Sequence, residues 1–223
     1  MTKFDALSDI LNARYSCRAF RPDPVARETV EQIVMTAGRV PSWCNAQPWH
    51  AIITDKPETD RFRDALYTHA SQGAMQHDLD APKQYTGIYK DRRRTCGWQL
   101  YEAVGVEKGD RVGSGEQMKE NFRLFGAPHV AIITSEADLG SYGALDCGSF
   151  ITGFCLAAQA LGIATIPQAA VAGYSPFVHE FFDIPENRLV VAAISFGFAD
   201  NDHPANAFRT ERAPLDEIFD WRS

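Results

Sequence analysis

An α+β sandwich is the fold this sequence predicts. Segments with apolar residues at helical spacing outnumber the short apolar runs that read as strands, and the two kinds are mixed along the chain. No internal repeat and no low-complexity linker interrupts them. With 45% hydrophobic residues over 223 positions, the chain can bury one sizeable core. One domain is therefore expected over 1–223, with 80–120 as a variable helical cap and 199–223 as a C-terminal arm.

The elements can be read in order. Phe4, Leu7 and Leu11 recur at helical spacing, as do Val30, Ile33, Val34 and Ala37 before a stop at Gly38. His50 to Thr54 reads as a short strand, and Pro57 suits the first turn of a helix through Phe62 and Leu66. After Pro82 a long polar helix is expected, with Tyr85, Ile88, Tyr89 and Leu100 on its apolar side. Val106 to Gly115 carries three glycines and mixed charges and reads as a loop.

Val130 to Thr134 has the pattern of a buried strand. Tyr142 to Leu161, rich in Ala, Gly and Cys, reads as a helix buried on several sides and stopped by Gly162. Ile163 to Pro167 is a short strand. Ser175 and Pro176 form an N-cap and N1 pair for a helix to Phe182, and Leu189 to Phe198 is the longest strand. The polar tail after Ala199, stiffened at Pro204 and Pro214, reads as an arm laid over something.

Charge and cysteine content narrow the class. A net charge of −7 argues against nucleic acid, so any anion site must rest on local basic clusters. Cys17, Cys44, Cys96, Cys147 and Cys155 form no C-x-x-C pair and no zinc-ligand spacing, which fits a reducing cytoplasm better than a disulfide scaffold. The first residues lack the apolar core of a signal peptide, and no apolar run approaches the roughly 20 residues of a membrane span. A soluble cytoplasmic protein is expected.

Two basic clusters lie at opposite ends of the chain. Arg14-Tyr15-Ser16-Cys17-Arg18 offers two guanidinium forks and a hydroxyl, a good match for a phosphate dianion. Arg209 and Arg212, within Phe208-Arg209-Thr210-Glu211-Arg212, can close on the same anion from the far terminus. The competing reading is surface ion pairing with Asp23, Glu211 or Asp216. Between the clusters stands Pro41-Ser42-Trp43-Cys44-Asn45-Ala46-Gln47-Pro48-Trp49. Asn45 and Gln47 there carry amides that donate and accept, although a tight turn set by the prolines would use them equally well. Cys44 reads as a buried free thiol.

Together, in this order, these motifs resemble the FMN-dependent nitroreductase family, from about Leu7 to Trp221. The resemblance implies a three-layer sandwich, its central and mostly antiparallel sheet flanked by helices. It also implies an interlocked homodimer with a flavin in each of two interfaces. The cofactors implied are FMN and, as reductant, NADH or NADPH. Two electrons at a time would pass to nitroaromatics of nitrobenzoate type or to quinones, by a ping-pong route through one shared site. No side chain need be catalytic, since flavin N5 itself carries the hydride.

The resemblance also assigns residues. Arg14, Ser16, Arg18 and Arg212, with Arg209 weaker, would take the phosphate, and Tyr15 would also bind the cofactor. Pro41, Ser42, Trp43 and Asn45 would lie along the ribityl chain and ring, with Gln47 beside them. The strand end that carries Pro167, Gln168 and Ala169 would present backbone N–H groups to N5 and O4. Arg123 would stabilise the N1/O2 edge on reduction, with Asn121 as its neighbour. Trp43 stands where many relatives have a small residue. Tyr85, Tyr89, Trp98 and Tyr101 are aromatic candidates for substrate choice, or simply core. Lys90-Asp91-Arg92-Arg93-Arg94, the one dense basic run, reads either as a solvated helix face or as an attractor for anionic ligands.

Other readings compete less well. The same fold serves reductive dehalogenation and flavin oxidation, but 80–120 lacks a convincing Glu-Tyr-Lys lid. A flavin-binding protein without catalysis is the rival of another class. There is no G-x-G-x-x-G, no G-x-S-x-G, no Walker lysine motif and no H-E-x-x-H, so no metal site is expected. His50, His129 and His179 read as structural.

Overall fold

Alternation along the two central strands sorts their side chains onto opposite faces of a sheet. In the computed structural model, which describes residues 2–222, Ala131 and Ile133 join one core cluster while Val130 and Ile132 join another. Both clusters are fully apolar at their centres, so the sheet must be covered on both sides.

The elements run α1 (Lys3–Ala13), α2 (Arg27–Ala37), β1 (His50–Ile53), α3 (Lys56–Gln72), α4 (Gly87–Ala103) and α5 (Arg111–Lys119). They continue with β2 (His129–Glu136), α6 (Gly140–Ala160), β3 (Ala164–Gln168), α7 (Ala169–Ala172), α8 (Ser175–Phe182) and β4 (Arg188–Gly197). The four strands form one sheet in the order β1-β2-β4-β3, antiparallel at every pairing. A bulge between Ile133 and Thr134 shifts the β2–β4 register. Helices α2 and α6 pack on one face around Ile33, Phe150, Phe154 and Phe196. Helices α3 and α8 pack on the other around Phe62, Leu66 and Val178. The three-layer α+β sandwich is the fold anticipated.

Local chemistry explains the boundaries. Thr2 and Asp5 cap α1 reciprocally, and the Asp55 side chain accepts from Glu58 N–H at the start of α3. Gly162, at φ 74°, provides the left-handed residue that ends α6.

Four expectations need correction. The segment 106–115 is not all loop: Asp110 accepts from Gly113 N–H and starts α5 at Arg111, so the cap outweighs the glycines. Ser175 does not cap α8, because its hydroxyl donates to Ala172 O and accepts from Asp78 N–H; Tyr174 takes the cap position. Cys44 is exposed rather than buried. Helix α4 buries none of its residues, and Tyr85 and Tyr89 on and beside it stay open to solvent.

Large apolar side chains are exposed elsewhere too. Phe4, Leu7 and Leu11 of α1 all face solvent, as do Leu145 on α6 and Leu215, Ile218 and Trp221 near the end. No helix among the described residues is long and apolar enough to cross a membrane.

Candidate active site

The first basic cluster is carried to the sheet edge by backbone pairing. Ser16 forms a parallel bridge with Thr165 of β3, and Cys17 N–H donates to Thr165 O at 3.0 Å. Cys17, Phe20 and Ile166 pack together beneath this bridge. The register brings Ser16 and Arg18 alongside Ile166 to Ala169, although some 150 residues separate the two segments in the chain.

The far terminus arrives by a different device. Asn206, buried, accepts from Arg18 N–H through Oδ1 at 2.7 Å and donates through Nδ2 to Ala19 O and Asp200 O. The guanidinium of Arg209 lies 3.7 Å from the centre of the Tyr15 ring, and that of Arg18 lies 5.5 Å from Phe208. Arg14, Tyr15, Ser16, Arg18, Arg209 and Arg212 consequently line one pocket of about 220 Å³. Leu11, Cys96 and Phe208 complete much of its wall.

These arginines are not spent on carboxylates. Among the described residues, none of Arg14, Arg18, Arg209 and Arg212 makes an ion pair; Asp23 pairs with Arg21 instead. Among the described residues, Arg212 donates only to Thr210 and to Glu211 O, and Arg209 only to Asn206 O and Phe208 O. Burial draws the Arg18 guanidinium below its ordinary value, partly opposed by the neighbouring Cys96 and Cys17 thiols. Four converging cations without a counter-charge, one of them desolvated, call for an anion.

A second cavity of about 290 Å³ adjoins the first, with Ser16 and Arg18 common to both. Pro167, Gln168, Ala169 and Asn121 line it, faced by Tyr101 from α4 and Gln117 from α5. The side chain of Gln168 is buried and already engaged. Its Oε1 accepts from Ser195 Oγ at 2.5 Å, and its Nε2 donates to Asn121 O at 2.8 Å. Pro167 and Ala169, by contrast, are exposed to the cavity.

Two expected groups lie elsewhere. Arg123 does not line the second cavity: it pairs with Glu120, donates to Tyr67 OH at 2.8 Å and sits over the Tyr67 ring. Pro41, Ser42, Trp43, Asn45 and Gln47 line neither cavity. Gln47 N–H donates to Ser42 Oγ, and its side-chain amide donates to Asn45 O, so the loop is partly self-bonded. The basic run of α4 is split in use: Arg92 pairs with Glu217, and Arg93 covers Tyr85.

Asn206 and Gln117 are site residues that the sequence pattern does not single out. Asn206 follows Pro204, a turn signal whose polar residue has no visible partner in the sequence. Gln117 and Asn121 stand one helical turn apart, a spacing that carries meaning only where the segment before them is helical.

A hollow of about 620 Å³ between α2 and β1 is larger than either cavity, but it offers no chemistry. Its buried polar residues are consumed by structure: His129 Nε2 accepts from Val25 N–H and Nδ1 meets Thr54 O, while Thr54 Oγ1 bonds Thr59 Oγ1 and Val130 O. His179 likewise bonds Ile184 O and Asp78.

A three-layer sandwich with converging arginines at its β3 edge has well-defined company. The chain matches the model of the nitroreductase family over residues 11–198 and belongs to that family. It is 34% identical to nitroreductase NfnB of Mycolicibacterium smegmatis over 95% of this chain and 91% of the relative. A 4-nitrobenzoate reductase of a Nocardioides species is 30% identical over 97% of this chain and 91% of its own. Among solved structures, the FMN-dependent nitroreductase NfnB from Mycobacterium smegmatis in complex with NADPH superposes with a TM-score of 0.94. There the identity is 32%, and both chains are covered completely.

Proposed function

We propose that this protein is an FMN-dependent oxidoreductase that takes hydride from NADH or NADPH and reduces nitroaromatics of nitrobenzoate type, or quinones, by a ping-pong route. The carrying observation is the pocket of uncompensated arginines continuous with the cavity over Pro167 to Ala169. Relatives described as FMN- and NADPH-dependent nitroreductases and as 4-nitrobenzoate reductases support it.

The residues present fit FMN. Arg14, Ser16, Arg18, Arg209 and Arg212 would hold its phosphate by charge-assisted bonds. Pro167, Gln168 and Ala169 would face the ring with backbone groups, since Gln168 has no side-chain atom left to offer. When bound, the flavin supplies the acceptor and donor of the hydride. The protein then has to orient successive ligands against one ring face and keep water from competing there. Asn121 would act near the ring edge, its carbonyl fixing Gln168. Arg123 would reach that edge only by leaving Glu120 and Tyr67.

Pro41, Ser42, Trp43, Asn45 and Gln47 would meet a flavin held by a second copy, which makes the working form a homodimer. The exposed apolar face of α1 supports this arrangement. So does the exposed line Ser141, Leu145, Gly148 and Thr152 on α6, where small residues let another helix approach. Five unpaired thiols suit a cytoplasmic setting.

Anaerobic stopped-flow absorbance tests the reading. NADH or NADPH should bleach the flavin band quickly, and a nitrobenzoate or quinone should restore it. An Arg14→Ala/Arg212→Ala protein should purify without FMN. Stoichiometric FMN in that double variant would refute the phosphate assignment.

A further inference from the structure

The loop 41–48 is attached to the rest of the molecule through its backbone, by the buried Asp146 at one end and the half-buried Arg188 at the other. At its entrance, Trp43 N–H donates to both carboxylate oxygens of Asp146, at 3.1 and 3.3 Å. Asp146 belongs to α6, is only 5% exposed, and among the described residues receives no other hydrogen bond. At the exit, Pro48 O accepts from Arg188 Nη2 at 2.9 Å. The same guanidinium donates to Thr134 O and Thr134 Oγ1 and pairs with Glu136, so its position is set from β2.

Between these anchors the backbone is strained. Cys44, Asn45 and Gln47 have φ of 50°, 57° and 49°, the left-handed region that non-glycine residues rarely adopt. Such conformations persist only where the surroundings over-determine them. The internal bonds of the loop are exposed to water and cannot do this alone. Tyr142 adds a third attachment, its ring 4.1 Å from Trp43 in an edge-on contact. It stands one turn before Asp146 on the same helix, so α6 holds Trp43 by backbone and side chain together.

We propose that Asp146 and Arg188 are positioning residues for the flavin reaction. They clamp the two ends of a loop whose relaxed form would differ, and so fix the pose in which that loop meets the ring. The inference rests on the reading above that the loop contacts FMN. Neither side chain touches substrate in this scheme; each acts through the backbone of residues 43 to 48.

The test uses holoenzymes of Asp146→Ala, Asp146→Asn, Arg188→Lys and Tyr142→Ala beside the wild type. For each, the visible circular dichroism of bound flavin, the FMN Kd, and kcat and KM with NADPH and 4-nitrobenzoate are measured. Asp146→Ala should lower kcat roughly tenfold or more with a smaller change in KM, because orientation rather than ligand affinity is lost. Its flavin dichroism should change, and Asp146→Asn, which keeps one acceptor oxygen for Trp43 N–H, should restore both to within about threefold. Arg188→Lys, which lacks the planar fork, should resemble Asp146→Ala.

Tyr142 is largely exposed, so Tyr142→Ala provides a variant that folds even where the buried substitutions do not. It should move the dichroism in the same direction. Wild-type dichroism and kcat in Tyr142→Ala and Arg188→Lys, or a loss in Asp146→Ala that Asn fails to rescue, would overturn the proposal. A wild type that binds no FMN would instead overturn the functional reading, and this proposal would fall with it.

Discussion

Asn206 and Arg18 are joined across 188 residues by one hydrogen bond, 2.7 Å from the Arg18 backbone N–H to the Asn206 side-chain oxygen. The same amide donates to Ala19 O and Asp200 O, so one buried side chain knits the N-terminal arginine cluster to the C-terminal one. Asn206→Ala leaves the Arg18 N–H and Asp200 O short of a partner, while Ala19 O keeps the Asp200 N–H. An unfolding free energy lower by about 1–3 kcal/mol follows. FMN should bind more weakly, because Arg209 and Arg212 lose their registration with Arg14 and Arg18. Urea melts and an FMN titration measure the two effects, and a stability loss without any loss of FMN affinity would show that the link is structural only.

The uncompensated arginines predict opposite effects in the free and bound protein. Without FMN, four like charges converge, so Arg212→Ala should leave the thermal midpoint unchanged or raise it. With FMN, the wild type should gain about 3 kcal/mol at a ligand concentration a hundred times Kd. Arg212→Ala should lose much of that gain at the same concentration. Differential scanning calorimetry at fixed FMN reads this directly; a midpoint that falls equally in both states would argue for a purely structural arginine.

Those two clusters are legible in the amino-acid sequence because their chemistry is local. Arg14, Ser16, Arg18, Arg209 and Arg212, which share one pocket, are residue types suited to an anion, and residues 130 to 134 and 189 to 198 carry a recognisable apolar pattern. The α+β sandwich can be read for that reason. Relations set by tertiary packing leave no such mark. Asn206 is one polar residue in a polar tail until it meets Arg18 N–H. Asp146 sits inside an apolar helix without any local sign that it accepts from Trp43. Gly113 and Gly115 disguise helix α5 as loop, because the capping bond of Asp110 is local but depends on a backbone turn. Spacing alone does not place Arg123, since its partners Tyr67 and Glu120 come from different elements.

His179 predicts a pH dependence of stability. Burial alone, the largest influence, would lower its pKa, but hydrogen bonds to Ile184 O and Asp78 and the charges of Asp78 and Glu186 together raise it above the ordinary 6.5. A raised folded-state pKa means that the contribution is complete below about 6.5, the unfolded value, and fades as pH rises through the higher folded value. Asp78 also accepts from Val190 N–H, so the pair ties the segment after α3 to β4. His179→Gln should therefore cost about 1.5–3 kcal/mol at pH 6 and much less at pH 9. Chemical denaturation at both values tests the sign; an equal loss at each would remove the charged pair from the explanation.

The exposed apolar side chains of α1 and α6 predict the oligomer. Phe4 is 76% exposed, and Leu7 and Leu11 share its face of α1, a helix that buries none of its residues within the chain. Leu145 stands 64% exposed on α6, which α1 touches. Burying a leucine or phenylalanine of this kind contributes about 1.5–3 kcal/mol, so several together would drive firm association. A Leu7→Glu/Leu145→Glu protein places a charge on each of these surfaces and should sediment as a monomer at micromolar concentration, where the wild type should sediment as a dimer. FMN should be lost with the dimer if the loop 41–48, which lines neither cavity of its own chain, serves the partner's flavin as proposed above. A monomeric variant that keeps stoichiometric FMN would separate the two ideas: the apolar faces would still make the dimer, but the flavin site would be complete within one chain.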